Sequence, residues 1–136
     1  MPFVVDASVG LSWHLEDEAS AYADMVLDRL RTDQALAPAL WAMEMVTGLI
    51  VAMRRRRITE ADVVSAARRA LGQGAELRDA LPGTAMRAIL ELAQRQRLSV
   101  YDAAYLHLAI REDLPLATQD EQLMAAASRV GVALYA

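Results

Sequence analysis

The sequence of 136 residues contains no cysteine, only two histidines and few aromatic residues, which make up 5 % of the chain. Without cysteine the protein cannot form disulfides or thiolate metal sites. The histidines, His14 and His107, belong to no His-x-x-x-His or Glu-x-x-His motif, so we interpret both as structural. These absences leave oxygen atoms as the obvious ligands for any metal ion.

Long apolar runs are also missing from the sequence. No segment reaches the roughly 18–20 uncharged residues of a membrane span, and the N-terminus lacks a secretory pattern. We therefore expect no membrane partner and a cytoplasmic location. The hydrophobic residues, 55 % of the chain, are mainly alanine, leucine, valine and methionine, which favours a helix-rich fold. The length predicts a single domain over residues 1–136.

Lysine is absent, so all fourteen basic residues are arginines, and the net charge is −4. Binding of nucleic acid normally requires a basic surface, although bound cations would cancel the charge of clustered acids. Arginine is a good bidentate phosphate ligand, but a GC-rich genome explains the missing lysine better. We interpret the run from Arg54 to Arg57 as a solvated helix end. The charge alone therefore does not identify the ligand.

Apolar segments with strand character alternate with segments of helical periodicity. The predicted strands cover residues 3–5, 35–38, part of 75–81, 114–118 and 132–135. The predicted helices cover residues 9–15, 17–31, 40–53, 59–71, 84–97, 100–112 and 120–129. This alternation predicts an α/β fold in which a mainly parallel sheet is covered on both faces. Ligands of such sheets bind beyond the carboxyl ends of the strands.

Four acids lie among apolar residues, where an ionised carboxylate is costly. They are Asp6, Glu44, Asp102 and Asp120. Burial of an unpaired carboxylate costs several kcal/mol or raises its pKa until it takes up a proton. Several acids can be tolerated if they converge on a hard divalent cation. This pattern is typical of a metal-dependent phosphodiester hydrolase.

Two of these acids also have a local explanation as helix caps. Asp6 follows a predicted strand and can serve as the N-cap of the next helix. Ser99 and Asp102 have the spacing of a capping box, in which Asp102 would accept a hydrogen bond from the Ser99 amide. Either explanation would account for the residue without a metal site.

Asp120 has a similar alternative, whereas the alternative for Glu44 is not a cap but a helix whose polar side happens to be thin. Thr118 and Glu121 have capping-box spacing, which places Asp120 in a first helical turn, where acids stabilise the helix dipole. Glu44 lies inside an apolar helix with no cap to fill. Because charged residues are rarely buried unpaired, Glu44 favours a functional site at a crevice.

Taken in order, four segments resemble the PIN-domain family, in particular the VapC-type toxins of toxin–antitoxin pairs. The segments are Val4-Val5-Asp6-Ala7-Ser8-Val9 with Trp13, Ala37-Pro38 through Glu44, Leu98-Ser99-Val100-Tyr101-Asp102-Ala103-Ala104-Tyr105, and Leu116-Ala117-Thr118-Gln119-Asp120-Glu121-Gln122-Leu123. The segments around Asp102 and Asp120 are each a weak signal alone, but together, in this order and at these separations, they are fairly specific. The resemblance extends over the whole chain.

The resemblance implies a three-layer α/β/α sandwich with acids at the carboxyl edge of the sheet that bind Mg²⁺ or Mn²⁺. The residues that match the family's acids are Asp6, Glu44, Asp102 and Asp120. Ser8 and Thr118 match its hydroxyl neighbours. Thr47 stands where the family commonly has asparagine, and we expect it to support the site by a hydrogen bond to Asp6 or Glu44.

The resemblance also implies an activity and partners. The activity is an endoribonuclease that uses metal-activated water, with Asp6 and Asp102 as direct metal ligands. The partners are an RNA substrate, a cognate antitoxin and a second copy of the chain in a homodimer. The sequence leaves open a non-catalytic PIN-like binding module, a DNA-directed metal nuclease and a metal-dependent phosphatase.

Overall fold

The computed structural model describes residues 1–78 and 83–136. The strands in this part of the chain are β1 (Phe3–Val5), β2 (Ala35–Pro38), β3 (Glu76–Arg78) and β4 (Leu116–Ala117). The α-helices are α1 (Ala7–Ser12), α2 (Ala21–Arg29), α3 (Leu40–Arg54), α4 (Glu60–Gln73), α5 (Gly83–Gln96), α6 (Val100–Glu112) and α7 (Glu121–Arg129). A short 3₁₀ turn, Glu16–Glu18, precedes α2. None of the helices described is long and apolar enough to cross a membrane.

The four strands form one parallel sheet with the order β3-β2-β1-β4. The central strand β1 is Phe3-Val4-Val5, and all three side chains are fully buried. A strand buried on both faces is apolar throughout rather than alternating. Because the strands are parallel, their carboxyl ends lie at one edge of the sheet, and the residues after β1 and β4 therefore meet there.

The helices form two contact groups. Helix α6 packs against β1, β2 and β4 and also against α5 and α7. Helix α3 packs against α1 and α4, and α1 packs against α2. The predicted α/β/α sandwich with a parallel sheet is confirmed.

The start of α3 is anchored to the end of β1. Trp41 is buried, and its indole Nε1 donates a hydrogen bond to the Asp6 carbonyl oxygen at 3.3 Å. The Trp41 and Met45 side chains lie against Gly10 of α1, where no side chain intervenes. This packing sets the position of the helix that carries Glu44.

Several predicted elements differ from the structure; for example, the helix predicted for residues 9–15 is α1 (Ala7–Ser12), and the strand predicted for 114–118 is β4 (Leu116–Ala117). The helix predicted for residues 17–31 begins only at Ala21, because the Ser20 hydroxyl caps α2 by accepting a hydrogen bond from the Ala23 amide. The strand predicted for residues 132–135 is reduced to one bridge between Leu116 and Leu134, since β4 offers only two residues for pairing. Of the prediction within residues 75–81, β3 covers 76–78, and residues 79–81 lie outside the described part.

Candidate active site

Asp6 is the most buried acid at the carboxyl edge of the sheet, with 2 % of its surface exposed. It is the N-cap of α1 and accepts a hydrogen bond from the Val9 amide at 3.1 Å. Its carboxylate also accepts hydrogen bonds from the hydroxyls of Ser8, at 2.7 Å, and Thr118. The local cap explanation is therefore correct, but one amide does not account for a carboxylate that also collects two hydroxyl donors.

Thr118 follows β4 and is 4 % exposed. Its hydroxyl donates to Asp6 and accepts a hydrogen bond from the Asp120 amide at 3.0 Å. The predicted capping box of Thr118 and Glu121 is wrong. Asp120 itself is the N-cap of α7 and accepts from the Leu123 amide at 2.9 Å. The Thr118 hydroxyl instead makes the hydrogen bond to Asp6, which joins the end of β4 to the end of β1.

Asp102 lies in the first turn of α6, where Ser99 is the N-cap. The Ser99 hydroxyl accepts a hydrogen bond from the Asp102 amide at 3.0 Å. Within the described residues, the Asp102 carboxylate does not return a bond to the Ser99 amide, so the predicted capping box is only half formed. The Asp102 carboxylate therefore caps no backbone amide of α6, although hydrogen bonding to the Ser99 side chain lowers its pKa.

Glu44 lies on α3 and is half-buried. Its Oε1 accepts a hydrogen bond from the hydroxyl of Tyr105 at 2.6 Å. Tyr105 is only 1 % exposed and lies on α6, one turn after Asp102. Sequence reasoning did not single out Tyr105, although its spacing from Asp102 places both side chains on neighbouring positions of one helix face.

The charges of the four acids are coupled. The pKa of Asp6 is raised from 3.8 to about 6. Burial is the main cause and the charge of Asp102 adds to it, whereas the hydrogen bonds that Asp6 accepts lower the pKa. Burial and the charge of Asp102 also raise the pKa of Glu44. Burial and the charge of Asp120 raise the pKa of Asp102. Acids from two strand ends and two helices thus act on one another, with Asp102 interacting with the other three.

Gln119 supports this arrangement and was not predicted. Its backbone amide donates to the Ser8 hydroxyl at 3.0 Å, and its side-chain amide donates to the Ser12 hydroxyl at 2.8 Å. The Ser20 hydroxyl donates to its side-chain oxygen. Since Ser8 in turn donates to Asp6, Gln119 connects the loop after β4 to the residues that hold Asp6.

Thr47 is exposed on α3. In the described part of the chain, no hydrogen bond joins Thr47 to Asp6 or Glu44. Its role in supporting the site stays a prediction.

The side chains at the site suit a hard divalent cation. Its donors are carboxylate and hydroxyl oxygens, the ligands that Mg²⁺ and Mn²⁺ prefer. The like charges that raise one another's pKa would be neutralised by such an ion. Among residues 1–78 and 83–136, no three acidic or histidine side chains are already arranged to hold a metal ion. Mg²⁺ usually keeps several waters and takes only one or two carboxylates, so an open group of acids fits it better than a closed cage.

Several solved structures share this fold. PAE2754 from Pyrobaculum aerophilum is 24 % identical, with a TM-score of 0.70, over 93 % of this chain and 79 % of that one. VapC20 from Mycobacterium tuberculosis, a toxin that cleaves the sarcin-ricin loop, is 15 % identical, with a TM-score of 0.66, over 91 % and 94 %. VapBC2 from Rickettsia felis, bound to a promoter DNA fragment, is 13 % identical, with a TM-score of 0.67, over 99 % and 98 %.

At these identities the likeness shows the fold alone. A search of curated proteins finds no significant match. The family model of the PIN domain, however, matches residues 3–129, which include all four acids. The resemblance seen in the sequence is confirmed, and the chain belongs to the PIN-domain family.

Proposed function

We propose that this protein is a divalent-metal-dependent endoribonuclease of the VapC type, the toxin of a type II toxin–antitoxin pair. The observation that carries the proposal is the placement of the buried Asp6, held by Ser8 and Thr118, at the carboxyl edge of the sheet, where the charge of Asp102 acts on it. Like charges that are brought together at the carboxyl edge of a parallel sheet repel one another, and a bound cation would relieve this repulsion. Membership of the PIN-domain family supports a nuclease.

Asp6 and Asp102 would hold the ion directly, and Glu44 and Asp120 would bind it directly or through water. Held there, Mg²⁺ or Mn²⁺ would supply Lewis-acid chemistry, which would lower the pKa of a water molecule and polarise the scissile phosphate. Donors from Ser8, Thr118 and the Val9 amide keep the Asp6 carboxylate oriented.

RNA rather than DNA is proposed as the substrate because the related toxin VapC20 cleaves the sarcin-ricin loop, which is RNA. The solved VapBC2 and FitAcB structures, the latter from Neisseria gonorrhoeae, support a proposed antitoxin partner. We also propose a homodimer. The exposed apolar side chains of α3 and α4 are candidates for these contacts; they include Met43, which is 73 % exposed, Val64 and Leu71.

The decisive experiment is to incubate the protein with end-labelled RNA and DNA in the presence of Mg²⁺, Mn²⁺ or EDTA. The expected result is RNA cleavage that requires the metal ion and leaves 5′-phosphate and 3′-hydroxyl ends. Preferential DNA cleavage would favour a DNA-directed nuclease, and no cleavage with any ion would favour a binding module.

Two substitutions test the assignment of residues. Asp6→Ala and Asp102→Ala should each abolish cleavage while circular dichroism remains that of the folded protein. Glu91→Ala, which removes an exposed acid on α5, is the matched control and should cleave normally. Full activity in either aspartate variant would overturn the proposed site.

A further inference from the structure

The interior of the protein contains a tyrosine where phenylalanine would fill the same volume. Tyr105 is 1 % exposed and belongs to the main hydrophobic core, which also contains apolar residues of β1, β4 and α7. A hydroxyl in such surroundings costs free energy unless it finds a hydrogen-bond partner. Its partner is the Glu44 carboxylate, and within the described residues it has no other.

We propose that Tyr105 is a positioning residue of the proposed nuclease, whose hydroxyl fixes the Glu44 carboxylate beside Asp102 and Asp6. This inference rests on the proposed function and adds to it a residue outside the four acids. In this proposal the tyrosine hydroxyl orients the Glu44 carboxylate, whereas the ring only fills space in the hydrophobic core.

The placement of Tyr105 supports this role. Tyr105 and Asp102 lie one turn apart on α6, whereas Glu44 comes from α3, and 61 residues separate Glu44 from Tyr105. The hydrogen bond therefore couples the helix that carries one acid to the side chain of another. A glutamate has three side-chain torsions, and a half-buried one without this bond would sample several orientations.

The bond also leaves part of Glu44 available. It uses Oε1, and no protein donor within residues 1–78 and 83–136 reaches Oε2. One oxygen is thus held by the protein while the second can serve a cation or a water molecule. A hydrogen bond from a neutral donor orients the carboxylate and leaves its charge in place. A salt bridge with arginine would instead neutralise that charge.

A second buried tyrosine provides a matched control. The Tyr135 hydroxyl also donates to a carboxylate, that of Asp33, and its ring stacks on Phe3. This pair ties the C-terminal segment to the start of β1 and β2 and involves none of the four acids. Tyr105→Phe and Tyr135→Phe therefore make the same chemical change at two tyrosine–carboxylate pairs.

The test combines steady-state cleavage of RNA with Mn²⁺ binding measured by calorimetry. Tyr105→Phe should lower kcat about 10- to 100-fold, the range expected for loss of a hydrogen bond to a charged group. It should also weaken Mn²⁺ binding. Tyr135→Phe should lower thermal stability and leave kcat and Mn²⁺ affinity unchanged.

A double-mutant cycle separates positioning from a general structural effect. Glu44→Gln should lower kcat by itself, and adding Tyr105→Phe should cause little further loss, because the hydroxyl acts through the carboxylate. A Tyr105→Phe protein with wild-type kcat and Mn²⁺ affinity would overturn the proposal, as would a full additional loss in the Glu44→Gln background. If wild-type protein cleaves no RNA with any metal ion, the proposed function itself fails, and the role of Tyr105 fails with it.

Discussion

The hydroxyl of Thr118 donates a hydrogen bond to the Asp6 carboxylate and joins the ends of two parallel strands across 112 residues of sequence. The same hydroxyl accepts a hydrogen bond from the Asp120 amide. One small side chain therefore sets the position of two of the four acids. Because β4 has only two residues, this contact contributes much of the precision with which the loop after β4 meets β1.

Replacing Thr118 by valine should therefore disturb both stability and activity. Valine keeps the shape but removes the donor, which leaves the buried carboxylate of Asp6 with one hydrogen bond fewer. The expected loss in the free energy of unfolding at neutral pH is about 1.5–3 kcal/mol, and RNA cleavage should fall with it. Urea denaturation in EDTA and cleavage assays measure the two effects.

Thr118→Ser is the control for this prediction. Serine keeps the hydroxyl, so it should retain most of the activity and lose less stability than valine. The difference between the two variants should shrink below pH 4, where a protonated Asp6 no longer needs the donor. Equal stability of wild type and Thr118→Val at neutral pH would contradict the argument.

The raised pKa of Asp6 predicts how stability depends on pH in the metal-free protein. Burial raises the pKa of Asp6 from 3.8 to about 6, so the folded state binds more protons than the unfolded state between these values. Stability contributed by the protonated carboxyl is thus complete below about pH 3.8 and is lost as the pH rises through about 6. The full effect of this one group is about 3 kcal/mol.

Other acids titrate in the same range, so the contribution of Asp6 must be isolated. Asp6→Asn removes the charge, and its stability relative to wild type in EDTA should increase between pH 4 and pH 6. Saturating Mg²⁺ should reverse the trend, because a cation bound to the ionised carboxylates stabilises the folded state. If the difference in stability between variant and wild type stays constant over this range, burial does not raise the pKa of Asp6.

The main features of the fold and the four acids can be predicted from the sequence. The strand before Asp6 is apolar throughout, and the residues that follow β1 and β4 lie at the same edge when the sheet is parallel. Glu44 stands out because no helix cap explains it. Each acid can be recognised within a short segment, and the parallel sheet then brings the distant strand ends to one edge.

The family resemblance indicated Ser8 and Thr118 as supporting residues, and both donate to Asp6, whereas Tyr105 and Gln119 could not be predicted. Tyr105 bonds to Glu44 across 61 residues, and the Gln119 amide bonds to Ser8 across 111. Thr118 illustrates the reason. Its spacing from Glu121 indicates a capping box, but a hydroxyl has several possible partners, and the three-dimensional fold brings Asp6 close enough to take it.

Asp102 should act on the protonation of its neighbours. Its charge raises the pKa of Asp6 and of Glu44, so Asp102→Asn should lower both pKa values in metal-free protein. Carbon-13 NMR of the carboxyl groups, titrated in EDTA, measures the change directly. Glu91→Gln on the exposed face of α5 should leave both unchanged. If the two titrations do not move in Asp102→Asn, the three acids do not share one electrostatic environment.

Two glycines on packed helices should respond differently to alanine. A Cβ on Gly10 would lie 2.9 Å from Cζ2 of Trp41 and 2.8 Å from the sulfur of Met45. The Trp41 ring is rigid and buried, and it donates a hydrogen bond to the Asp6 carbonyl oxygen. It therefore cannot move without shifting α3, the helix that carries Glu44.

Gly10→Ala should therefore cost about 1–3 kcal/mol in the free energy of unfolding and reduce RNA cleavage. The three atoms nearest to a Cβ on Gly48 are Cδ1, Cδ2 and Cγ of Leu11, and this flexible side chain can rotate away. Since alanine favours a helix over glycine, Gly48→Ala should be near neutral and retain activity. Urea denaturation and cleavage of both variants measure the difference. Equal stability and activity in the two variants would mean that the contact of Gly10 with Trp41 and Met45 does not control the position of Glu44.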